Sequence, residues 1–190
     1  MKDVDRFLTC PVIAALPGGL LSPEALNAPV DVYFMLGGSI MDLSRRVARL
    51  REGGRRVFVH LDLVEGLGRD TAAVDYLMRH VKPDGVISTK TDLLTHAKEI
   101  GLVTVQRIFL LDSLSYERGV TAARKLGPDL VEVMPGVMPR VIRELTRALP
   151  CPVIAGGLIR TRQDAAEALQ SGAVAISTSR PELWVRQLQK

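Results

Sequence analysis

The sequence predicts an α/β fold, a (β/α)8 TIM-barrel-like single domain over residues 1–190. Strand and helix patterns alternate from end to end, which indicates a parallel sheet with right-handed crossovers. The strand-like runs are short and uniformly apolar, which is typical of strands buried on both faces. Eight such runs fit a closed barrel better than the alternative, a doubly wound open sheet.

The predicted strands are Val12–Leu16, Val32–Leu36, Arg56–Leu61, Gly85–Thr89, Val103–Leu110, Leu130–Met134, Val153–Ile159 and Ala173–Thr178. Between them the helical patterns are Ser22–Asn27, Ile40–Arg51, Thr71–Val81, Asp92–Ile100, Ser115–Lys125, Val137–Leu149 and Arg162–Gln170, with Pro181–Gln189 as a closing helix. Glycines such as Gly101, Gly127 and Gly172 stand where helices should stop, because glycine readily adopts the left-handed conformation of a helix C-terminus.

Bulk composition limits the class of protein. The formal net charge is +4 and the sequence pI about 9.3, which is compatible with a nucleic-acid partner. Cys10 and Cys151 precede strands 1 and 7, which lie two strand spacings apart, roughly 10 Å, too far for a disulfide. We expect both thiols to be reduced and the protein to be cytoplasmic. The charged N-terminus does not resemble a signal peptide, and no apolar run is long enough for a transmembrane helix.

The last two strands predict a phosphate site. Strand 7 ends in Gly156-Gly157, and strand 8 ends in Thr178-Ser179. In a barrel of this type, the loops after strands 7 and 8 commonly bind phosphate through backbone N–H groups and hydroxyls. We therefore predict that these four residues bind a phosphate group. Lys90 or Arg107, at the ends of strands 4 and 5, would supply positive charge.

Other polar residues at the strand ends would converge on the same mouth. His60, Asp62 and Glu132 are predicted to bind ligand hydroxyl groups. Two alternatives stay open: an ion-pair network that only stabilises the mouth, and a core histidine at position 60. No catalytic residue and no metal ligand is assigned, although Asp62, Glu65 and Glu132 leave a magnesium site open.

Two groups of arginines on predicted helices are candidate RNA contacts. Arginine-rich helical faces bind phosphate backbones without reading sequence, although solvated helix faces also account for them. Aromatic residues make up only 4% of the chain, so recognition of hairpin or double-stranded RNA by shape is favoured over base stacking. The candidates are Arg45, Arg46 and Arg49 on one helix and Arg140, Arg143 and Arg147 on another.

The strand ends, taken in order, resemble the glycerol-3-phosphate-responsive antiterminator family of bacterial transcription regulators. The resemblance spans nearly the whole chain and rests on the segments 59–66, 85–90, 106–113, 131–136, 154–159 and 177–179, followed by Leu183-Trp184. It implies a barrel-type fold, glycerol 3-phosphate as effector ligand, no cofactor, no catalysis, and binding to an mRNA leader that controls genes of glycerol catabolism or uptake.

Two other functions remain open from the residues alone. A barrel enzyme of the lyase or isomerase type, acting on a small phosphorylated substrate, would use the same phosphate site, with Lys90 as a Schiff-base nucleophile or Asp62 and Glu132 as an acid–base pair. A ligand-binding protein that signals through a protein partner is the other. A homo-oligomer would double the basic surface available to RNA.

Overall fold

The computed structural model describes residues 8–187, which form a closed barrel of eight parallel strands. The strands are β1 (Val12–Pro17), β2 (Val32–Leu36), β3 (Arg56–His60), β4 (Gly85–Ser88), β5 (Val103–Phe109), β6 (Leu130–Met134), β7 (Val153–Gly156) and β8 (Ala175–Thr178). Each strand pairs with its neighbours in chain order, and β8 closes the barrel on β1. The predicted fold class is therefore confirmed, and the open-sheet alternative is excluded.

Seven helices connect the strands within the described residues. They are α1 (Pro23–Asn27), α2 (Ile40–Arg51), α3 (Thr71–Tyr76), α4 (Thr91–Glu99), α5 (Ser113–Leu126), α6 (Pro139–Ala148) and α7 (Arg162–Gln170). A π-helical turn, Leu77–Val81, continues α3, and a two-residue parallel ladder joins Gly38–Ser39 to Val64–Glu65. α5 and α7 each begin with a capping box, at Asp112 and Thr161 respectively. The side chain of each residue accepts a hydrogen bond from a backbone amide that the first helical turn leaves without a partner.

Two apolar layers hold the barrel together. The interior contains Ile13, Phe34, Phe58, Ile87, Val105, Leu130, Ile154 and Ala175, and a larger layer lies between the strands and the helices. Side chains alternate between these layers along each strand. Residues two positions beyond an interior side chain therefore also face inward, which directs His60, Arg107, Glu132 and Ser177 into the barrel near its C-terminal end.

The structure corrects two predicted elements. β7 ends at Gly156 instead of Ile159, because Gly157 and Leu158 have φ values of 73° and 62°, which an extended strand cannot accommodate. The predicted closing helix Pro181–Gln189 is only a 3-10 turn, Pro181–Leu183, after which the Trp184 indole N–H donates to the Thr178 carbonyl at 2.8 Å. Residues 188 and 189 of that prediction lie outside the described residues.

The two cysteines form no disulfide within the described residues, as predicted, and both are buried. Burial raises the pKa of the Cys151 thiol to about 11, which keeps it protonated at neutral pH. Across residues 8–187, no helix has both the length and the apolar character needed to cross a bilayer.

Candidate functional site at the barrel mouth

A buried ion pair forms the floor of the site. Sheet register places Arg107 on β5 beside Glu132 on β6, and the Arg107 Nε donates to Glu132 Oε2 at 2.7 Å. Arg107 is 6% exposed and Glu132 is 1% exposed. Ser177 on β8 donates its hydroxyl to the other carboxylate oxygen, Oε1, at 2.5 Å. Both carboxylate oxygens of Glu132 therefore accept a hydrogen bond, which fixes the carboxylate. The carboxylate in turn orients the guanidinium of Arg107.

Gly156 makes this arrangement possible. A Cβ at this position would lie 2.5 Å from Glu132 Oε1 and 2.6 Å from the Ser177 hydroxyl. Any larger residue would therefore displace the Glu132–Ser177 hydrogen bond. Gly157 is constrained in a different way: its φ is 73°, and a Cβ there would approach Met134 Cε to 2.7 Å.

A cavity of about 390 Å³ opens above this floor at the C-terminal end of the barrel. Its polar lining comes from the floor residues and from the loops after β7 and β8. The lining includes Arg107, Glu132, Gly157, Leu158, Arg160, Ser177, Thr178, Ser179 and Arg180. The volume falls within the range of small-molecule sites, about 300–1,000 Å³.

Arg160 and Arg180 are cavity residues that sequence reasoning missed. Both are exposed, and neither forms an ion pair within the described residues. The pKa of Asp164 is lowered chiefly by a hydrogen bond from the Arg160 amide, with a smaller effect of the Arg160 charge. Because Glu132 neutralises Arg107, these two arginines give the cavity its net positive charge. The sequence signal was available: each follows closely on a predicted phosphate loop.

The predicted phosphate residues separate into two groups. Gly157, Thr178, Ser179 and Arg107 line the cavity, and Gly156 lies beneath it. Lys90 is not among the described residues that line the cavity; it lies at the N-cap of α4, where its amide donates to the Ser88 hydroxyl at 3.0 Å.

The Thr178 hydroxyl is already engaged. It donates to the Ile159 carbonyl at 3.0 Å and accepts from the Arg180 amide at 3.2 Å. Its hydrogen bonds therefore join the two loops at the cavity edge. This leaves the Ser179 hydroxyl better placed than that of Thr178 to serve a ligand.

The predicted hydroxyl-binding residues also separate. Glu132 lines the cavity, whereas Asp62 accepts from the Ser88 hydroxyl at 3.0 Å and from the Thr89 amide at 2.9 Å. Asp62 thus holds the end of β4. The magnesium alternative has no support in the described residues, where no three acidic, histidine or cysteine side chains are grouped as metal ligands would be.

His60 lies inside the barrel and is 2% exposed. Its Nδ1 has no hydrogen-bond partner within the described residues, and it lies 3.9 Å from Asp62 Oδ2. Burial, with a further contribution from the positive charge of Arg107, lowers the pKa of His60 to about 4. The imidazole is therefore neutral at physiological pH.

The two arginine groups differ in their surroundings. On α2, Arg45 pairs with Asp42 at 2.5 Å, Arg49 pairs with Glu52 at 2.9 Å, and Arg46 donates to the Gly19 carbonyl at 2.8 Å.

On α6, Arg140 pairs with Glu144 at 3.0 Å. Arg143 and Arg147 are exposed and form no ion pair within the described residues. Their separation of four positions places both on one helix face. The unpaired positive charge is therefore greater on α6 than on α2.

Comparison with known proteins identifies relatives along almost the whole chain. Residues 12–184 match the family model described as glycerol-3-phosphate responsive antiterminator. The uncharacterized protein YgcP of Escherichia coli is 33% identical over 174 residues, which are 92% of this chain and 91% of that protein.

Two solved structures share both sequence and fold with the chain. A glycerol uptake operon antiterminator regulatory protein from Listeria monocytogenes is 36% identical, with a TM-score of 0.87, over 91% of this chain and 94% of that one. A glycerol uptake operon antiterminator-related protein from Thermotoga maritima is 36% identical, with a TM-score of 0.82, over 92% and 98%. Barrel enzymes also superpose, but at identities of 14% and 17%, which show the fold alone.

Proposed function

Because the chain belongs to the glycerol-3-phosphate responsive antiterminator family, we propose that it senses glycerol 3-phosphate and binds an mRNA leader. In this function, ligand binding promotes antitermination and so regulates glycerol uptake genes. The proposal includes no catalytic step and locates the protein in the cytoplasm. The observation that carries it is the cavity at the barrel mouth, which is lined by the buried Arg107–Glu132–Ser177 floor and by Arg160 and Arg180, two arginines that form no ion pair with any residue from 8 to 187.

Charge supports a phosphate monoester as the ligand. Such a group carries about −1.5 to −2 charges at neutral pH. Arg160 and Arg180 together supply two positive charges at the cavity rim, beside the backbone of Gly157 and Ser179. An arginine fork matches phosphate oxygens well, and backbone N–H groups in loops of this kind add further donors.

The floor supports a short polyol attached to that phosphate. Each oxygen of Glu132 accepts one hydrogen bond from the protein and, as a carboxylate oxygen, can accept a second. Two ligand hydroxyl groups can therefore donate to Glu132. The terminal nitrogens of Arg107 remain available as donors, because its bond to Glu132 uses Nε.

Unpaired charge favours α6 over α2 as the RNA surface. Binding to a phosphate backbone gains most from cations that release counterions, and Arg143 and Arg147 have no carboxylate partner in the part of the chain that the structure describes. Arg124 extends this surface, because its guanidinium donates to the Ala148 carbonyl at the end of α6, at 2.9 and 3.0 Å.

One route connects the cavity to α6. Met134 lines the cavity, and two residues later the Gly136 amide donates to the Gly157 carbonyl at 3.0 Å. α6 begins at Pro139, directly after this loop. The loop around Gly157 and the loop around Gly136 are therefore joined by a hydrogen bond. A ligand that binds one conformation of the Gly157 loop more strongly than another would also favour one position of the Gly136 loop, which leads into α6.

The deciding experiment is titration of labelled leader RNA from the glycerol uptake operon of the same genome with purified protein. It is done with and without saturating glycerol 3-phosphate, and with glycerol or inorganic phosphate as controls. We expect glycerol 3-phosphate to tighten RNA binding about 5–150-fold, the range of ordinary allosteric coupling. A scrambled RNA of equal length should not show this ligand dependence. Equal RNA affinity with and without the ligand would contradict the proposal.

A further inference from the structure

The carboxylate of Glu132 offers a ligand in the mouth cavity hydrogen-bond acceptors and no donor. Each of its oxygens already accepts one hydrogen bond, Oε2 from Arg107 Nε at 2.7 Å and Oε1 from the Ser177 hydroxyl at 2.5 Å. Glu132 is the counter-charge of the buried Arg107, and an ionised carboxylate has only lone pairs to offer. A ligand oxygen that bonds to Glu132 must therefore carry a hydrogen.

Two hydroxyl groups in the cavity lining already donate their hydrogens to the protein. Ser177 donates to Glu132, and Thr178 donates to the Ile159 carbonyl at 3.0 Å. Because a hydroxyl has one hydrogen, neither group can donate to a ligand while these bonds are kept. Among the floor residues, the terminal nitrogens of Arg107 remain as donors, because its bond to Glu132 uses Nε.

This arrangement distinguishes a secondary alcohol from a ketone. In a phosphate ester with hydroxyl groups at C1 and C2, each hydroxyl can donate to one oxygen of Glu132. A ketone oxygen at C2 can accept from Arg107, but it has no hydrogen for Glu132 and meets the carboxylate with like charge. Loss of a hydrogen bond to a charged group lowers affinity by about 10–100-fold.

We propose that Glu132 selects the alcohol over the ketone, so that the protein binds glycerol 3-phosphate and rejects dihydroxyacetone phosphate. This inference rests on the proposed function, because it requires glycerol 3-phosphate to occupy the cavity. The two compounds carry the same phosphate group on the same carbon chain, so Arg160 and Arg180 bind both alike. Discrimination therefore depends on the floor.

The selection also defines the class of reaction that ends the signal. In oxidation at C2, a hydride passes from carbon to a nicotinamide or flavin acceptor, the hydroxyl loses its proton, and a ketone remains. Because the floor rejects that ketone, a dehydrogenase of this class removes the effector while the phosphate stays attached.

Calorimetric titration of the wild type with three phosphate monoesters tests the proposal. They are glycerol 3-phosphate, dihydroxyacetone phosphate and 3-hydroxypropyl phosphate, which has no oxygen at C2. We expect glycerol 3-phosphate to bind at least about tenfold more tightly than either of the other two. The third compound measures what the C2 hydroxyl contributes when no carbonyl replaces it.

The variant Glu132→Gln tests which residue is responsible. Its carboxamide supplies N–H donors that a ketone oxygen can accept. The ratio of the dissociation constants of dihydroxyacetone phosphate and glycerol 3-phosphate should therefore fall towards one. General damage to the fold would weaken both ligands alike and leave the ratio unchanged. The matched control Asp62→Asn makes the same change at a carboxylate that holds β4 and does not line the cavity, so the ratio should stay at its wild-type value.

The wild-type titrations decide the proposal even if Glu132→Gln does not fold. Binding of either comparison ligand within about tenfold of glycerol 3-phosphate would overturn this inference and leave the proposed function in place. A ratio that folded Glu132→Gln does not lower would also overturn it. Failure of glycerol 3-phosphate itself to bind would contradict the proposed function, and this inference with it.

Discussion

Removal of the Glu132 side chain should destabilise the barrel far more than removal of the whole buried polar cluster. The variant Glu132→Ala leaves the Arg107 guanidinium, which is 6% exposed, without its carboxylate partner at 2.7 Å. It also removes the acceptor of the Ser177 hydroxyl. A triple variant, Arg107→Met with Glu132→Leu and Ser177→Ala, removes every polar partner and fills the same space with apolar groups.

The magnitudes follow from burial. An unpaired charge at this depth costs about 3–5 kcal/mol, whereas exchange of a complete buried ionic cluster for apolar side chains is often neutral or stabilising by about 1–4 kcal/mol. Because a domain is stable by only about 5–15 kcal/mol, the single variant should lose a large part of its stability. The triple variant should unfold at a denaturant concentration close to that of the wild type.

Urea denaturation measures the free energy of unfolding of each variant, and calorimetric titration with glycerol 3-phosphate measures ligand binding. We expect the triple variant to be folded and unable to bind, because the groups that we assign to ligand hydroxyls are gone. A loss below about 1 kcal/mol in Glu132→Ala would contradict a large cost for the buried, unpaired charge of Arg107. Retention of glycerol 3-phosphate binding by the triple variant would refute the role of the cluster in recognition.

Three further predictions test other parts of the site. The pKa of His60 is depressed from 6.5 to about 4 in the folded protein, so the unfolded chain takes up a proton first as pH falls. The free energy of unfolding should therefore decrease by about 3 kcal/mol between pH 6.5 and 4. In a His60→Gln variant, denaturation measured across that pH range should lack this decrease. Arg160→Ala combined with Arg180→Ala should weaken glycerol 3-phosphate binding at least about tenfold in calorimetry while the melting temperature stays near that of the wild type, whereas unchanged affinity would exclude them as phosphate ligands. Gly156→Ala should lower stability by about 1–3 kcal/mol, because its Cβ would lie 2.5 Å from Glu132 Oε1, and an unchanged melting temperature would contradict that clash.

The sequence predicted the barrel well because its signal is local and repeated. Each strand is an apolar run, and each helix has its own start and stop residues, so errors fall at the ends of elements. β7 ends earlier than predicted because Gly157 and Leu158 have left-handed backbone conformations. Glycine often adopts this conformation, but leucine rarely does, so the sequence did not indicate it at position 158. Residues after Pro181 do not continue as a helix, because Trp184 turns back to the Thr178 carbonyl.

The site was less predictable because roles depend on partners that are distant in sequence. A strand-end carboxylate looks the same in sequence whether it faces the cavity, as Glu132 does, or holds a neighbouring strand, as Asp62 does through Ser88. Arg160 and Arg180 were not predicted as site residues, because exposed arginines near the start of a helix are common. Only the three-dimensional structure shows that both lie at the cavity rim.

Calorimetric titration of the purified protein with glycerol 3-phosphate, with glycerol and inorganic phosphate as controls, is the direct test of ligand binding at the barrel mouth. We predict that glycerol 3-phosphate binds with one site per chain and that glycerol and inorganic phosphate each bind much more weakly, because Arg160 and Arg180 and the polar floor act on different parts of the ligand. The double variant Arg160→Ala with Arg180→Ala is the matched control, in which binding of glycerol 3-phosphate should be weaker. Failure of the folded wild type to bind glycerol 3-phosphate at two temperatures, or equal binding of inorganic phosphate, would contradict this prediction.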